Sequence, residues 1–143
     1  MKPSKTKRRK QNIKLNENVT KLLNEQIWYL ATCSDEPNAV PVAFKAVAED
    51  GTLTVGDVFL ETTLKNIEAN GKIAVSACDP ASMEGYQIKG TAVYTTEGPV
   101  VDTYKKLVSD MFKGAATAKG ALIITPETVI VTTPGADNKK VLL

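Results

Sequence analysis

Residues 27–47, IWYLATC-SDEPN-AVPVAFKAV, decide the fold. The first seven are dense in β-branched, aromatic and small apolar side chains and read as a mostly buried strand. Ser34, Asp35, Glu36, Pro37 and Asn38 form a turn cluster, because such residues pre-set a turn dihedral or hydrogen-bond their own backbone. Residues 39–47 then read as the antiparallel partner. Pro41 inside that strand has no N–H to give to a ladder, so it belongs at an edge or a bulge. The stretch is a β-hairpin with an irregular outer strand, and an antiparallel sheet must receive it.

Upstream, Asn16 is placed to cap a short helix ending near Gln26, with Leu15, Val19, Leu22 and Leu23 on one face at helical spacing. Downstream, Glu49, Asp50 and Gly51 turn the chain into a short strand at 52–55. Residues 56–60 break the strand pattern, and a helix is expected over 62–70. Thr62 or Thr63 would cap it, and Asn70-Gly71 would stop it in the left-handed conformation. Strands follow at 72–78 and 85–96, the second with Gly90 marking a bulge or a close backbone approach. Gly98-Pro99 opens a helix reaching Lys113, whose stripe of Val100, Tyr104, Leu107, Val108, Met111 and Phe112 belongs to the core or to a dimer seam. A last strand at 120–125 turns at Pro126 and resumes at 129–133, and coil is expected from Pro134. Five or six strands on short turns, with three helices, predict a mainly β fold closed as an antiparallel barrel.

A chain of 143 residues, 43% apolar, suits one domain with one core. No apolar run nears the roughly 20 residues that span a bilayer, and a soluble, cytoplasmic protein is expected. The net charge of +2 is unevenly spread. Residues 1–14 carry Lys2, Lys5, Lys7, Arg8, Arg9, Lys10 and Lys14 and no acid, which leaves an acidic remainder. Such a segment buries too little apolar surface to offset its ordering entropy, so 1–14 read as a disordered basic leader and 15–143 as the domain. Contact of the leader with nucleic acid is disfavoured, because the acidic domain behind it does not extend a basic surface.

Cys33 and Cys78 sit in apolar strand-like runs without Cys-x-x-Cys spacing and read as small buried thiols. The chain has no histidine. That excludes Ser-His-Asp and Cys-His nucleophilic arrangements, imidazole-based zinc sites and a histidine haem ligand, and no metal site is expected. Hydrolysis and metal catalysis are set aside with them.

One constellation suggests a ligand. Residues 57–66, DVFLETTLKN, run from a strand end through a loop into a helix start. A helix N-terminus exposes unpaired N–H groups and a partial positive charge, a natural seat for a phosphate. Two adjacent threonine hydroxyls strengthen it, although a Thr-Thr pair there also serves as a plain cap.

Four blocks in order resemble the split-barrel flavoproteins, the group that includes the pyridoxamine-phosphate oxidases: WYLATCSDEPN, AVPVAFKAVAEDG, DVFLETTLKNIEANGKIAVSACD and GYQIKGTAVY. The closing GALIITPETVIVTTPG is similar to that family's last strand pair, and the likeness covers about residues 16–136. It implies an antiparallel six-stranded split β-barrel with attached helices, FMN as cofactor, and a homodimer with the cofactor at the interface. By the same resemblance the flavin ring would meet Pro41, Val42 and Ala43. The phosphate would sit by the loop Asp57, Val58 and Phe59 with Thr62 and Thr63, and Glu61 would turn away from it. Gln87 would reach the flavin from beside it or from the partner, and Lys45 falls where the oxidases contact substrate. Gln87 is equally compatible with the outward polar side of a half-buried strand, and a lysine on a strand, as at Lys45, is more often a solvated outer residue.

Two departures stand out. Thr62 occupies the place where many relatives carry a lysine before the phosphate-binding threonine, and both arginines of the chain lie in the leader. Oxidation of vitamin B6 is therefore not expected. The resemblance implies an FMN-dependent oxidoreductase or electron carrier acting on an unidentified small substrate or redox partner. A ligand-binding or regulatory barrel without turnover is the alternative, and the residues leave a deazaflavin open beside FMN.

Overall fold

The computed structural model describes residues 12–143. They form α1 (Glu17–Glu25), β1 (Trp28–Cys33), β2 (Pro37–Val42), β3 (Lys45–Val47), β4 (Leu53–Asp57), α2 (Thr62–Asn70), β5 (Lys72–Cys78), β6 (Gly85–Thr95), α3 (Pro99–Met111) and β7 (Gly120–Val131). The strands make one sheet in the order β2-β1-β5-β6-β7-β4-β3, and every neighbouring pair is antiparallel. β2 and β3 lie at its two opposite edges, yet only Ala43 and Phe44 separate them in sequence. A sheet whose edges are joined by two residues must curl on itself. The result is the mainly β, split-barrel architecture expected from the sequence, with helices attached.

The strand count is seven rather than six, and the reason lies at both ends of the sheet. The single strand expected over 39–47 breaks at Ala43-Phe44, where the chain leaves the β1 ladder and joins β4. Conversely, the turn expected at Pro126 is absent, because β7 runs straight through it. Its register with β6 shifts between Lys89 and Gly90, so that Gly90 faces Pro126 and Lys89 faces Thr128. Glu127 is the extra residue of the bulge. Glycine is required opposite it, since a Cβ on Gly90 would come within 2.1 Å of the Thr125 carbonyl oxygen. The tail read as coil also pairs. Val131 donates to Lys140 O (2.9 Å), Lys139 to Val131 O (2.7 Å) and Leu142 to Val129 O (2.8 Å), a strap along the half of β7 that β4 leaves open.

The core follows from period-two burial. Trp28, Leu30, Val75, Ile88, Leu122 and Ile124 point inward from four strands and are buried. α1 closes one end with Val19, Leu22 and Leu23, after Asn16 caps it by accepting from Asn18 N at 2.8 Å. A smaller cluster joins Val101, Tyr104 and Val108 of α3 to Val58, Ala118 and Ala121. There the Tyr104 ring lies against Gly56, where a Cβ would meet ring carbons at 2.7 Å.

The alternation that buries Thr32 and Ala77 turns the next residue outward. Cys33 and Cys78, expected inside, are therefore exposed free thiols. The cap of α2 also differs: Glu61 is the N-cap, with no side-chain capping bond, and both threonines lie inside the helix. Of the leader, residues 1–11 fall outside the described part. Ile13 is held by its N–H on Asp50 O at 2.9 Å. No helix among the described residues is long and apolar enough to cross a membrane.

Candidate binding cleft

β2 is laddered only to β1, so the backbone groups along its other edge are engaged in no sheet. Pro41, paired with Tyr29, stands on this edge strand, as a residue without a ladder donor must. Facing it is the loop that leaves β4 and enters α2. Between them lies a cavity of about 430 Å³. Asn38, Val40, Pro41 and Val42 form one wall, Ala43 and Phe44 its end, Val58, Phe59 and Leu60 the other wall, and Glu61, Thr62 and Thr63 the far corner.

The loop is shaped by one buried carboxylate. Asp57 is fully buried and turns away from the cavity. Its Oδ1 accepts from Leu60 N at 3.0 Å, its Oδ2 from the Tyr94 hydroxyl at 2.6 Å, and its carbonyl from Lys119 N at 2.8 Å. Burial, with the Asp57 hydrogen bond and charge, raises the Tyr94 pKa, so the phenol stays a donor. The carboxylate closes a three-residue turn and presents Val58, Phe59 and Leu60 to the cleft.

The helix side is shaped by amides and hydroxyls. The first N–H bond into α2 runs from Lys65 to Glu61 O at 3.2 Å, and the amides before it have no carbonyl below them. α2 is held on the β1–β2 hairpin by three bonds. Asn38 Nδ2 donates to Thr63 Oγ1 (3.0 Å), Asn66 Nδ2 to Thr32 Oγ1 (3.0 Å), and Asn70 Nδ2 to Cys33 O (2.7 Å). Thr63, Asn66 and Asn70 follow i, i+3, i+7 spacing, one helical face. That polar stripe is visible in the sequence as helical spacing, and Asn38, expected in a turn, stands on β2 as the partner of Thr63. Thr63 is 1% exposed, and because its oxygen accepts from Asn38, its own proton is left to donate.

Charge around the cleft is sparse. No lysine or arginine lines it, and Glu61, expected to turn away, is its one ionisable lining residue. Lys65 lies one turn along α2 and is exposed. It makes no ion pair with Glu61, Lys106–Asp110 being the ion pair found among the described residues.

Seven of the ten residues singled out from sequence meet here: Pro41, Val42, Ala43, Val58, Phe59, Thr62 and Thr63. Asp57 lies behind the wall. Lys45 is elsewhere: its Nζ donates to Leu23 O at 2.8 Å and sits 5.3 Å from the centre of the Trp28 ring, and burial lowers its pKa. Gln87 stands on β6, aligned across the strands with Ser76, Tyr29 and Pro41. Three strand spacings separate it from Pro41, roughly 14 Å.

A shallow groove crosses the outer face of β2, β1, β5 and β6, with Ala31, Ala39 and Ala74 along it and Lys72 and Lys89 beside them. Asn38 borders both this groove and the cleft.

The sequence model of the pyridoxamine 5'-phosphate oxidase family matches residues 15–136. An uncharacterized protein of Methanocaldococcus jannaschii, MJ0282, is 32% identical over 134 residues, covering 91% of this chain and 89% of that protein. Among solved structures, HupZ of Group A Streptococcus superposes with a TM-score of 0.74 at 28% identity, over 87% of this chain and 98% of that one. A protein of Syntrophomonas wolfei described as FMN-binding has a TM-score of 0.73 at 17% identity, over 84% of this chain and 87% of its own.

Proposed function

From the fact that this chain belongs to the pyridoxamine 5'-phosphate oxidase family, we propose that it is a flavin-binding protein, with FMN its ligand in the β2–α2 cleft, working as an oxidoreductase or electron carrier. The observation that carries this is the build of the cleft. Its volume lies in the range of small-molecule sites, its two long walls are apolar, and unpaired amides stand at one corner. A planar ring fits between Val40–Val42 and Val58–Leu60, and the open edge of β2 supplies backbone groups for the ring's polar rim. A terminal phosphate fits the first turn of α2, where amides and the Thr63 hydroxyl donate.

When bound, the flavin supplies hydride or single-electron chemistry. The chain's own part is to position it and keep water from one face. Pro41, Val42 and Ala43 would face the ring, Thr62 and Thr63 the phosphate, and Asp57 would hold the loop in place. Apart from Glu61 the cleft offers no ionisable side chain for proton transfer. That absence also supports the second reading, a barrel that binds its ligand without turnover.

We place the homodimer on the outer groove. A row of alanines allows close approach of a second sheet, and exposed Tyr29 and Val93 beside it gain by burial. A second copy there would carry its own Gln87 and Lys89, which the single chain leaves on the outer face, away from its own cleft.

The test is titration of the apoprotein with FMN and, separately, with a deazaflavin, followed by fluorescence. Saturable FMN binding with one site per chain is expected. No binding of FMN would refute the assignment. Bound flavin that no pyridine nucleotide reduces would favour the second reading.

A further inference from the structure

We propose that Glu61 is the specificity-determining residue of the cleft, selecting against a doubly charged terminus on the ligand, so that FMN is held as an exchangeable ligand. The inference rests on the flavin reading and extends it to the ligand's charge.

Three observations bear on it. Glu61 lines the corner where the first-turn amides of α2 stand, and it is exposed. No cation lines the cleft to offset it, and Lys65, four residues along, is not paired with it. The other nearby carboxylate, Asp57, is engaged by Leu60 N and Tyr94 and faces the opposite way. The corner thus has neutral donors, one solvent-exposed carboxylate and no lining counter-charge. Such a site attracts a phosphate through the amides and repels it through Glu61. The ring walls do not feel this balance, since they are apolar. Ring affinity and terminus affinity are therefore set by different residues, and Glu61 acts on the second alone.

The size of the effect follows from Coulomb's law. A carboxylate and a phosphate dianion roughly 6 Å apart in water repel enough to lower affinity about 10-fold, and physiological salt reduces that to about 3-fold. Because Glu61 makes no side-chain hydrogen bond at the cap, replacing it removes charge without breaking the helix start.

The experiment titrates the intact apoprotein with riboflavin and FMN, which share the ring and differ in the phosphate, for the natural protein, Glu61→Gln and Glu61→Lys. The expected result is an FMN affinity raised about 3- to 10-fold by Glu61→Gln and further by Glu61→Lys, with riboflavin affinity unchanged in both. Constant riboflavin binding doubles as the check that the cleft stays folded. If the ratio of FMN to riboflavin affinity is the same in all three proteins, the proposal is overturned while the flavin reading stands. If neither flavin binds any of the three, the flavin reading falls and takes this proposal with it.

Discussion

At the scale of residues, Thr63 carries two roles on one hydroxyl. Its oxygen accepts from Asn38 and so ties α2 to β2, while its proton is available to a ligand in the cleft. Thr63→Val should weaken FMN binding by about 1–2 kcal/mol, the scale of a lost hydrogen bond to a charged group. Asn38→Ala breaks the tie but leaves the hydroxyl, so it should cost melting temperature more than FMN affinity. Fluorescence titration and thermal unfolding of the two variants separate the roles. Equal losses of affinity in both would mean that Thr63 acts only through the tie. The sequence could nominate Thr62 and Thr63 because hydroxyls at a helix start are a local pattern. It could not show that Asp57 turns inward, since its partner Tyr94 is remote in the chain and no periodicity links them. Glu61 stands at the corner because the backbone makes it the N-cap of α2, and repulsion from a phosphate bears only on where its carboxylate points.

Among the elements, the strap at residues 139–142 protects the edge of β7 that no strand covers. An unpaired edge is a template for association. Truncation after Pro134 would uncover Val129–Val131 and remove Leu142 from the core margin. The expected outcome is a lowered melting temperature and concentration-dependent light scattering, and unchanged values of both would show that the strap is dispensable. Element types were largely legible, because burial repeats at two in strands and near 3.6 in helices. α1 with its Asn16 cap, β5, and the bulge at Gly90 stand where the pattern put them. What was illegible depended on pairing. Ala43-Phe44 carries no turn residue to announce that β2 ends there. Pro126 resembles a turn locally, and only the bulge opposite it lets the strand continue. Cys33 and Cys78 failed similarly: an apolar run says that a strand has a buried face, and register alone decides which residues share it.

For the whole molecule, the outer groove leads to an expectation about assembly. If the homodimer forms there, sedimentation at micromolar concentration should give a dimer, and Ala74→Arg, which sets a long charged side chain among Ala31, Ala39 and Lys89, should give a folded monomer with weakened flavin binding. A natural protein that sediments as a monomer and still holds flavin tightly would refute it. The sheet order has a separate consequence, for the time course of synthesis. β3 and β4 emerge early from the ribosome as a hairpin, but β4's remaining neighbour is β7, the last strand made. Until then the hairpin is joined to the β1–β2 unit by Ala43-Phe44, by Lys45 on Leu23 O and by the bonds of α2 to Thr32, Cys33 and Asn38, while the long edge of β4 that β7 will cover stays unpaired. Such late, long-range closure makes for slow folding. The half-made chain therefore carries every residue of the cleft, and its exposed β4 edge is the part that must wait for the end of synthesis.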